Sequence, residues 1–311
     1  MKLATTAALL AAVASAAPAI AADPEACQTI RMSDPGWTDI TSTNALAGVV
    51  LTALGYEQDV STLSVPVGFE GMKAGDIDVF LGNWMPSHAA FREELDAAGA
   101  VEVLAKNLTG AKFTLAVPAY VGEAGVSDFA DLDPNADKFD SKIYGIESGA
   151  VANINIQKMI DADEFGLGDW TLVDSGEQAM LAQVRRAVRS EDWILFLAWA
   201  PHPMNVEFDI AYLAGGDAYF GPNYGGAEVF SLARAGWPAE CPNAAQLFRN
   251  LVFTIDMENE MMGLILGGEA PEDAAEAWLK DHPDVLGPWL EGVTTFEGEP
   301  GLPAVQAALG V

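Results

Sequence analysis

Short apolar runs alternate with helical patterns through almost the whole chain, and this alternation constrains the fold more than any other feature. The run WILFLA at 193–198 is typical of a buried strand, and residues 142–146 predict another. Helical periodicity occurs between such runs, as at 152–160 and 177–188. Because strands and helices take turns along the chain, the sequence predicts an α/β fold.

Three tryptophans stand where predicted strands end. Trp37 lies in the loop DPGWTD between a strand and a helix, Trp84 in GNWMP, and Trp199 in LAWAPHPMN. Ligands of open α/β sheets bind at the carboxyl ends of the strands. We therefore expect the three rings to meet in a cleft, with Asp39 near Trp37. The alternatives are that the tryptophans are core residues and that Asp39 is only a helix N-cap, since the sequence predicts Thr38 or Asp39 at that position of the first helix.

Aromatic rings in a cleft suit a ligand whose charged group cannot form hydrogen bonds. A quaternary ammonium or a sulfonium has no N–H to donate, so the negative faces of aromatic rings hold it, with a carboxylate nearby. The sequence thus predicts a cation–π box for a small onium ligand. Trp37, Trp84 and Trp199 form its walls, and Asp39 balances the charge.

Signatures of catalysis and of metal binding are missing from the sequence. It has no GxSxG, HExxH, P-loop or GxGxxG pattern, and the histidines His88, His202 and His282 lack metal-ligand spacing. Residues 131–137 resemble the start of a calcium loop but lack its later Gly and Glu, which leaves a structural Ca²⁺ there only as an alternative. We therefore expect no enzyme, no cofactor and no metal centre.

The start of the chain predicts export. The basic dipeptide MK precedes an Ala/Leu-rich stretch, and the tripeptide AIA has the pattern of a cleavage site. Residues 1–21 are therefore interpreted as a signal peptide cleaved near Ala21/Ala22, which leaves the mature protein in the periplasm. No later segment has about 18 consecutive apolar residues, so the sequence predicts no membrane span after the signal peptide.

The two cysteines, Cys27 and Cys241, stand far apart in the chain. In an oxidising compartment a disulfide between them is the default, and two free thiols are the alternative. Such a bond brings the two ends of the chain into one lobe and leaves the middle of the chain to form another.

The strongly acidic composition limits the partners. Asp and Glu number 45 against 15 Lys and Arg, which gives a formal net charge of -30. Nucleic acid and anionic membrane surfaces are therefore poor partners, whereas a cationic ligand suits this surface. Solubility alone accounts for most of the charge, so the charge does not identify the ligand.

The motifs around these residues resemble the periplasmic substrate-binding proteins of ABC importers for choline, glycine betaine and related compatible solutes, and most of all the choline-binding branch. The resemblance covers nearly the whole mature chain. It is carried by WTDI, DVFLGNWMP, GAKFTLAVP, KIYGIESG, EQAMLAQV, LAWAPHPMN, FGPNYGGA and AWLKDHPDVLGPWLEGVTT.

The resemblance implies a two-lobed, type II-like binding protein with a hinged cleft between its α/β lobes. We expect lobe 1 to consist of residues 22–112 plus 211–311, and lobe 2 of residues 113–210. The resemblance also implies delivery of the ligand to an ABC permease in the inner membrane, and we expect the binding protein to be a monomer. The alternatives are a secreted enzyme that acts on choline-type compounds and a binding module of a receptor.

Two positions depart from what the resemblance implies for the choline branch. The fourth wall of the box is typically Tyr in that branch, and here it corresponds to Phe113. The family's partner for the choline hydroxyl is an Asn, which here corresponds to Ala150, with Asn153 three residues further on. Each loss of a hydrogen bond to a ligand hydroxyl costs on the order of 1 kcal/mol, which weakens the case for strict choline specificity.

A zwitterion such as glycine betaine or dimethylsulfoniopropionate presents a carboxylate instead of a hydroxyl. The backbone N–H groups of Gly149, Ala150 and Val151 lie at a predicted helix start and could receive it. His202 is a second candidate for that end of the ligand. The sequence therefore predicts a small onium osmolyte without ranking choline, glycine betaine and dimethylsulfoniopropionate.

Overall fold

The computed structural model describes residues 23–311, so the predicted signal peptide at 1–21 lies outside the described residues. Within this range nine strands form one mixed sheet, which confirms the predicted α/β class. The strands are β1 (Thr29–Asp34), β2 (Glu57–Thr62), β3 (Val79–Met85), β4 (Val101–Pro118), β5 (Lys142–Tyr144), β6 (Thr171–Val173), β7 (Phe196–Ala200), β8 (Ile210–Tyr212) and β9 (Gly226–Arg234).

Helices separate most of the strands and also make up the C-terminal part of the chain. Several of them are single turns. The helices are α1 (Thr38–Ala53), α2 (Val65–Ala74), α3 (Ala89–Ala97), α4 (Ala119–Glu123), α5 (Val151–Asp161), α6 (Glu177–Ser190), α7 (Met204–Glu207), α8 (Asp217–Phe220), α9 (Pro222–Gly225), α10 (Trp237–Glu240), α11 (Pro242–Asn250), α12 (Ile255–Leu266), α13 (Pro271–Asp281), α14 (Leu286–Trp289) and α15 (Gly301–Leu309). Among the described residues, none of the helices is both long and apolar enough to cross a membrane.

The strand order is β2-β1-β3-β9-β4-β7-β5-β6, with β8 paired to β4. The long strand β4 pairs with β9 over its first part and with β7 over its second part, antiparallel in both cases. It therefore joins a first half of the sheet (β2, β1, β3 and β9) to a second half (β7, β5, β6 and β8). The predicted lobe boundaries at 112/113 and 210/211 stay a prediction.

The predicted disulfide is confirmed. Cys27 and Cys241 are bonded, with their Cα atoms 5.7 Å apart across 214 residues of chain. The bond joins the segment before β1 to the residue that precedes α11. The N-terminal strand and the C-terminal helices consequently belong to the same part of the molecule, and α1 packs against α12 and α13 there.

Trp84 stands closer to regular structure than the sequence predicts, because it lies within the last residues of β3 and not in a loop after the strand. Trp199 lies within the last residues of β7, at the predicted end of its strand. Both strands are followed by a cis X–Pro bond, Met85–Pro86 and Ala200–Pro201. Pairing of β3 with β9 and of β7 with β4 extends these strands past the apolar runs that predicted them.

The prediction of Thr38 or Asp39 as the N-cap of the first helix is wrong. Trp37 occupies the N-cap position with an extended backbone and no side-chain cap, and the other two residues lie in the first turn of α1. The segment 131–137 contributes to short 3₁₀ helices, and the Asp131 carboxylate accepts the backbone N–H groups of Ser127 and Asp128. In the described part of the chain, no group of three or more His, Cys, Asp and Glu side chains is arranged to hold a metal ion.

Candidate functional site

One cavity collects side chains from both halves of the sheet. It is framed by the start of α1, the ends of β3 and β7, the middle of β4 and the start of α5. Seven of the sequence-predicted site residues line it: Trp37, Asp39, Trp84, Phe113, Ala150, Val151 and Trp199. The remaining lining residues are Ser87, His88, Ile146, Ala152 and Leu197.

The aromatic side chains that line the cavity are nearly closed off from solvent. Trp37 is 9% exposed, Phe113 7%, and Trp84 and Trp199 5% each. Phe113 and Trp199 are direct partners across the β4–β7 ladder, and the Trp84 ring meets the Phe113 ring edge-on at a centroid distance of 6.2 Å and an angle of 80°. The cavity wall therefore combines rings from the β4–β7 ladder with rings on β3 and at the start of α1.

Asp39 brings an unbalanced carboxyl group into this apolar cavity. It is only 2% exposed, and its Oδ1 has no hydrogen-bond partner among the described residues. Burial and the nearby Glu177 carboxylate raise the pKa of Asp39 to about 8, because both disfavour the ionised form. The Nε1–H group of Trp84 is also buried and lacks a partner among residues 23–311. A cation at this position would supply the counter-charge that Asp39 lacks.

Two glutamates that the sequence reasoning missed connect the second half to the start of α1. The indole Nε1–H of Trp37 donates to Oε1 of Glu147 at 2.7 Å. Burial raises the pKa of this half-buried carboxyl to about 7, although the Trp37 hydrogen bond opposes the shift. Glu177, at the start of α6, accepts both the backbone N–H and the hydroxyl of Thr38, at 2.9 and 2.5 Å.

The structure does not bring Gly149, Asn153 and His202 into the cavity lining. The Asn153 amide lies in the first turn of α5, where it accepts the N–H of Ile146 at 3.0 Å and donates to Oδ1 of Asp174, the residue after β6, at 2.8 Å. His202 packs edge-on against the Trp199 ring with centroids 4.8 Å apart. These side chains therefore orient the residues that line the cavity.

The proton on His202 can be assigned from its partners. Its Nδ1 accepts the backbone N–H of Met204 at 2.9 Å, so Nδ1 carries no proton. Its Nε2 therefore holds the proton and donates to Oε1 of Glu177 at 3.1 Å. In this orientation both ring nitrogens of His202 are occupied by protein groups.

Some residues that line the cavity were not predicted from the sequence, and they differ in how strongly a sequence pattern indicates them. Ser87 and His88 lie three and four residues after Trp84, just beyond the motif DVFLGNWMP, so only their nearness to the tryptophan indicates them. Burial lowers the pKa of His88 to about 3, which leaves a neutral ring in the wall next to Trp37. Leu197 lies two residues before Trp199 on β7 and therefore shares its side of the strand.

Two glycines are required by close contacts near the site. A Cβ atom on Gly225 would stand 1.7 Å from the carbonyl oxygen of Phe113, so only glycine lets the α9 turn approach β4 this closely. A Cβ on Gly145 would stand 2.4 Å from Oδ1 of Asn153, which would displace the amide that holds the turn before α5. The motif FGPNYGGA thus packs against the backbone of the lining residue Phe113, and KIYGIESG forms the turn before α5.

The family model described as the substrate binding domain of the ABC-type glycine betaine transport system matches residues 28–281. Glycine betaine/carnitine transport binding protein GbuC of Listeria monocytogenes is 30% identical over 158 residues, which is 50% of this chain and 51% of that protein.

Two solved structures of an ABC-transporter choline binding protein are also similar. The complex with choline is 54% identical, has a TM-score of 0.91, and aligns over 93% of this chain and 100% of that chain. The unliganded semi-closed form is 53% identical, has a TM-score of 0.85, and aligns over 92% and 100%. These relatives are two-lobed transporter proteins and not enzymes. The chain belongs to the family of substrate-binding domains of ABC-type glycine betaine and choline transport systems.

Proposed function

We propose that this protein captures a small quaternary ammonium or tertiary sulfonium osmolyte in the cavity and delivers it to an ABC permease. The observation that carries the proposal is the pairing of four nearly buried aromatic rings with one uncompensated carboxyl group. Trp37, Trp84, Phe113 and Trp199 line the same cavity as Asp39. An onium group needs ring faces and a counter-charge, and these residues supply both.

The charge of the surroundings favours a ligand with a net positive charge. None of the cavity-lining residues of the described chain is Lys or Arg, whereas Asp39 is among them and Glu147 and Glu177 lie next to the start of α1. These acidic groups would repel a carboxylate on the ligand, and the protein interior screens that repulsion poorly. Choline therefore ranks ahead of glycine betaine and dimethylsulfoniopropionate in our proposal.

The end of the cavity at Phe113 and Ala150 offers no polar side chain to the tail of the ligand. The amide of Asn153 cannot replace the missing Asn, because it is bonded to the backbone of Ile146 and to the Asp174 carboxylate. The Ala150 N–H is not available, because it donates to the Glu147 carbonyl at 3.1 Å. Besides the indole Nε1–H of Trp84, which has no partner among the described residues, the remaining donors are the free N–H groups of the first turn of α5, which begins at Val151. We propose that a choline hydroxyl or a zwitterion carboxylate meets these backbone groups, with lower affinity than a dedicated side chain would give.

In this proposal the protein works in the periplasm after removal of residues 1–21. The two lobes close on the ligand and open again at the permease, which is a hinge movement about the strands that connect them. The protein acts as a monomer. Transport consists of capture and handover, and no bond in the ligand is made or broken.

A thermal-shift panel with choline, glycine betaine and dimethylsulfoniopropionate tests the proposal, because a ligand that binds only the folded state raises the melting temperature with its concentration. We expect the largest shift with choline. Calorimetry on Trp199→Ala should then show binding lost while the fold is kept. The matched control is Trp193→Ala, since Trp193 lies outside the cavity and stacks with Lys138. Unchanged affinity in Trp199→Ala, or no shift with any of the three ligands, would contradict the proposal.

A further inference from the structure

The strands that lead to Thr38 and Glu177 are far apart in the sheet. Thr38 opens α1, which follows β1, whereas Glu177 opens α6, which follows β6. Five strands separate β1 from β6 in the order β1-β3-β9-β4-β7-β5-β6. Their contact therefore depends on the curl of the sheet that brings its two halves face to face across the cavity.

The Glu177 carboxylate is buried and accepts three hydrogen bonds, and we call this group of contacts the hub. Glu177 is 3% exposed, and it accepts the Thr38 N–H at 2.9 Å, the Thr38 hydroxyl at 2.5 Å and the His202 Nε2–H at 3.1 Å. Thr38 stands between Trp37 and Asp39 in sequence, and the His202 ring is packed against Trp199. One side chain thus fixes parts of the box that come from opposite halves of the molecule.

We infer that Glu177 is a positioning residue that latches the two halves together in the ligand-bound state. This inference rests on the proposed function and adds the group that couples closure to assembly of the box. In the closed arrangement Glu177 draws the start of α1 towards α6 and the turn after β7. The rings of Trp37 and Trp199 then face the same space, and the ligand is retained for as long as the three donors stay bonded.

The overall similarity supports a closed arrangement for the structure in which this contact occurs. It matches the choline-bound relative with a TM-score of 0.91 and the unliganded semi-closed relative with 0.85. The Glu147–Trp37 hydrogen bond also joins the halves, but it is a single contact of a half-buried carboxyl. Glu177 offers more bonds in a more buried place, where the loss of a partner has a larger effect.

The test is stopped-flow tryptophan fluorescence with choline on wild-type protein, Glu177→Gln and Thr38→Val. A glutamine has one acceptor oxygen instead of two, so it leaves a buried donor of the hub unpaired. We expect choline to dissociate from Glu177→Gln about ten- to a hundredfold faster, with an association rate within about threefold of wild type. Thr38→Val should change dissociation in the same direction by less. The double variant should dissociate little faster than Glu177→Gln, because both substitutions remove one interaction.

The matched control is Glu57→Gln. Glu57 also accepts a threonine hydroxyl, that of Thr29 at 3.2 Å, but both residues lie in the first half and are exposed. We expect wild-type choline kinetics for this variant. The ligand-free melting temperature of Glu177→Gln should stay near that of wild type, since a latch acts on the closed, ligand-bound state.

The outcomes separate the latch from the proposed function. If wild-type protein does not bind choline, the proposed function fails and the latch, which depends on it, fails with it. If wild-type protein binds choline and Glu177→Gln dissociates at the same rate, the latch alone is overturned. The latch is also overturned if Glu177→Gln lowers the melting temperature equally with and without choline. Equal losses would mean that Glu177 stabilises the fold in general and not the ligand-bound state.

Discussion

Two buried aspartates of this protein have opposite surroundings. Asp78 receives hydrogen bonds from Arg31 at 2.7 and 2.8 Å and from Arg234 at 2.7 Å. Burial alone would raise its pKa, but these bonds outweigh burial and lower the pKa. Asp39 is equally buried and faces other carboxyl groups instead, and its pKa rises to about 8.

The difference separates a carboxylate that serves the fold from one that, in our proposal, balances the charge of a ligand. Asp78 finds its counter-charge within the first half of the molecule, so its interactions are complete without any other partner. Asp39 lies in the first turn of α1 and lines the same cavity as four aromatic rings, and none of the ion pairs within residues 23–311 includes it. A buried charge without a partner is costly, and perturbed carboxyl groups of this kind mark functional sites.

Removal of the paired charge should have the largest effect on stability. Asp78→Asn leaves two arginines without their shared carboxylate, and we expect the free energy of unfolding to fall by about 3 kcal/mol. Denaturation in urea measures this loss. Choline affinity of the folded fraction should stay at the wild-type value, and a variant that keeps its stability but loses choline binding would break the comparison.

Asp39→Asn should have the reverse pattern. The substitution removes the counter-charge for the onium group, so we expect choline affinity to fall by roughly thirtyfold, or about 2 kcal/mol. The ligand-free protein should be at least as stable as wild type, because an unpaired buried carboxyl is lost. Calorimetry and urea denaturation on the same preparation provide both values, and a strongly destabilised variant with normal affinity would refute the assignment.

The two aspartates should also have opposite effects on the pH dependence of stability. The pKa of Asp39 is raised to about 8 and that of Glu147 to about 7, so each binds a proton in the folded state that the unfolded chain has lost. The contribution of these two groups to the stability of the fold is fully present below the pKa that each has in the unfolded chain. It is lost as the pH rises through the raised pKa values of the folded state. For Asp78 the contribution is present above the unfolded pKa and is lost as pH falls.

Melting temperatures of the ligand-free protein between pH 5 and 9 measure this slope. We expect the melting temperature to decline as pH rises over this interval in wild-type protein, and to decline less in Asp39→Asn. Choline carries a permanent charge, so its affinity should rise over the same interval as Asp39 ionises. If the melting temperature depends on pH in the same way in Asp39→Asn as in wild-type protein, groups other than Asp39 cause the pH dependence.

The smallest effect is expected at the apolar end of the cavity. Ala150→Asn returns an amide to the position of the hydroxyl partner, so choline affinity should rise about fivefold, or roughly 1 kcal/mol. Tetramethylammonium has no hydroxyl, and its affinity should not increase. An equal gain for both ligands would show that the substitution changes the shape of the cavity and not its hydrogen bonding.

Much of the site could be predicted from the sequence because its residues stand next to recognisable element boundaries. Trp37, Trp84 and Trp199 each adjoin a Pro-containing turn at the end of an apolar run, and the meeting of strand ends follows from the α/β class. The disulfide followed from the cysteine count and the signal peptide. The residues at which β3 and β7 end could not be predicted from the sequence, because the pairing of β3 with β9 and of β7 with β4 determines them.

The latch could not be predicted from the sequence, because it depends on contacts between distant segments. Glu177 looks like an ordinary acidic residue in the first turn of a helix, where it suits the helix dipole. Its bonds to Thr38 span 139 residues, and the Trp37–Glu147 bond spans 110. Only the curl of the sheet, which no local pattern encodes, brings these groups together.

The most direct test of the central claim compares choline with 3,3-dimethylbutan-1-ol, which has the same shape with carbon in place of the charged nitrogen. Calorimetry on wild-type protein measures both affinities. If the aromatic box and Asp39 recognise a cation, choline should bind at least about thirtyfold more tightly, which corresponds to about 2 kcal/mol. Equal affinities would contradict the account, because they would mean that the cavity selects shape and apolar surface alone.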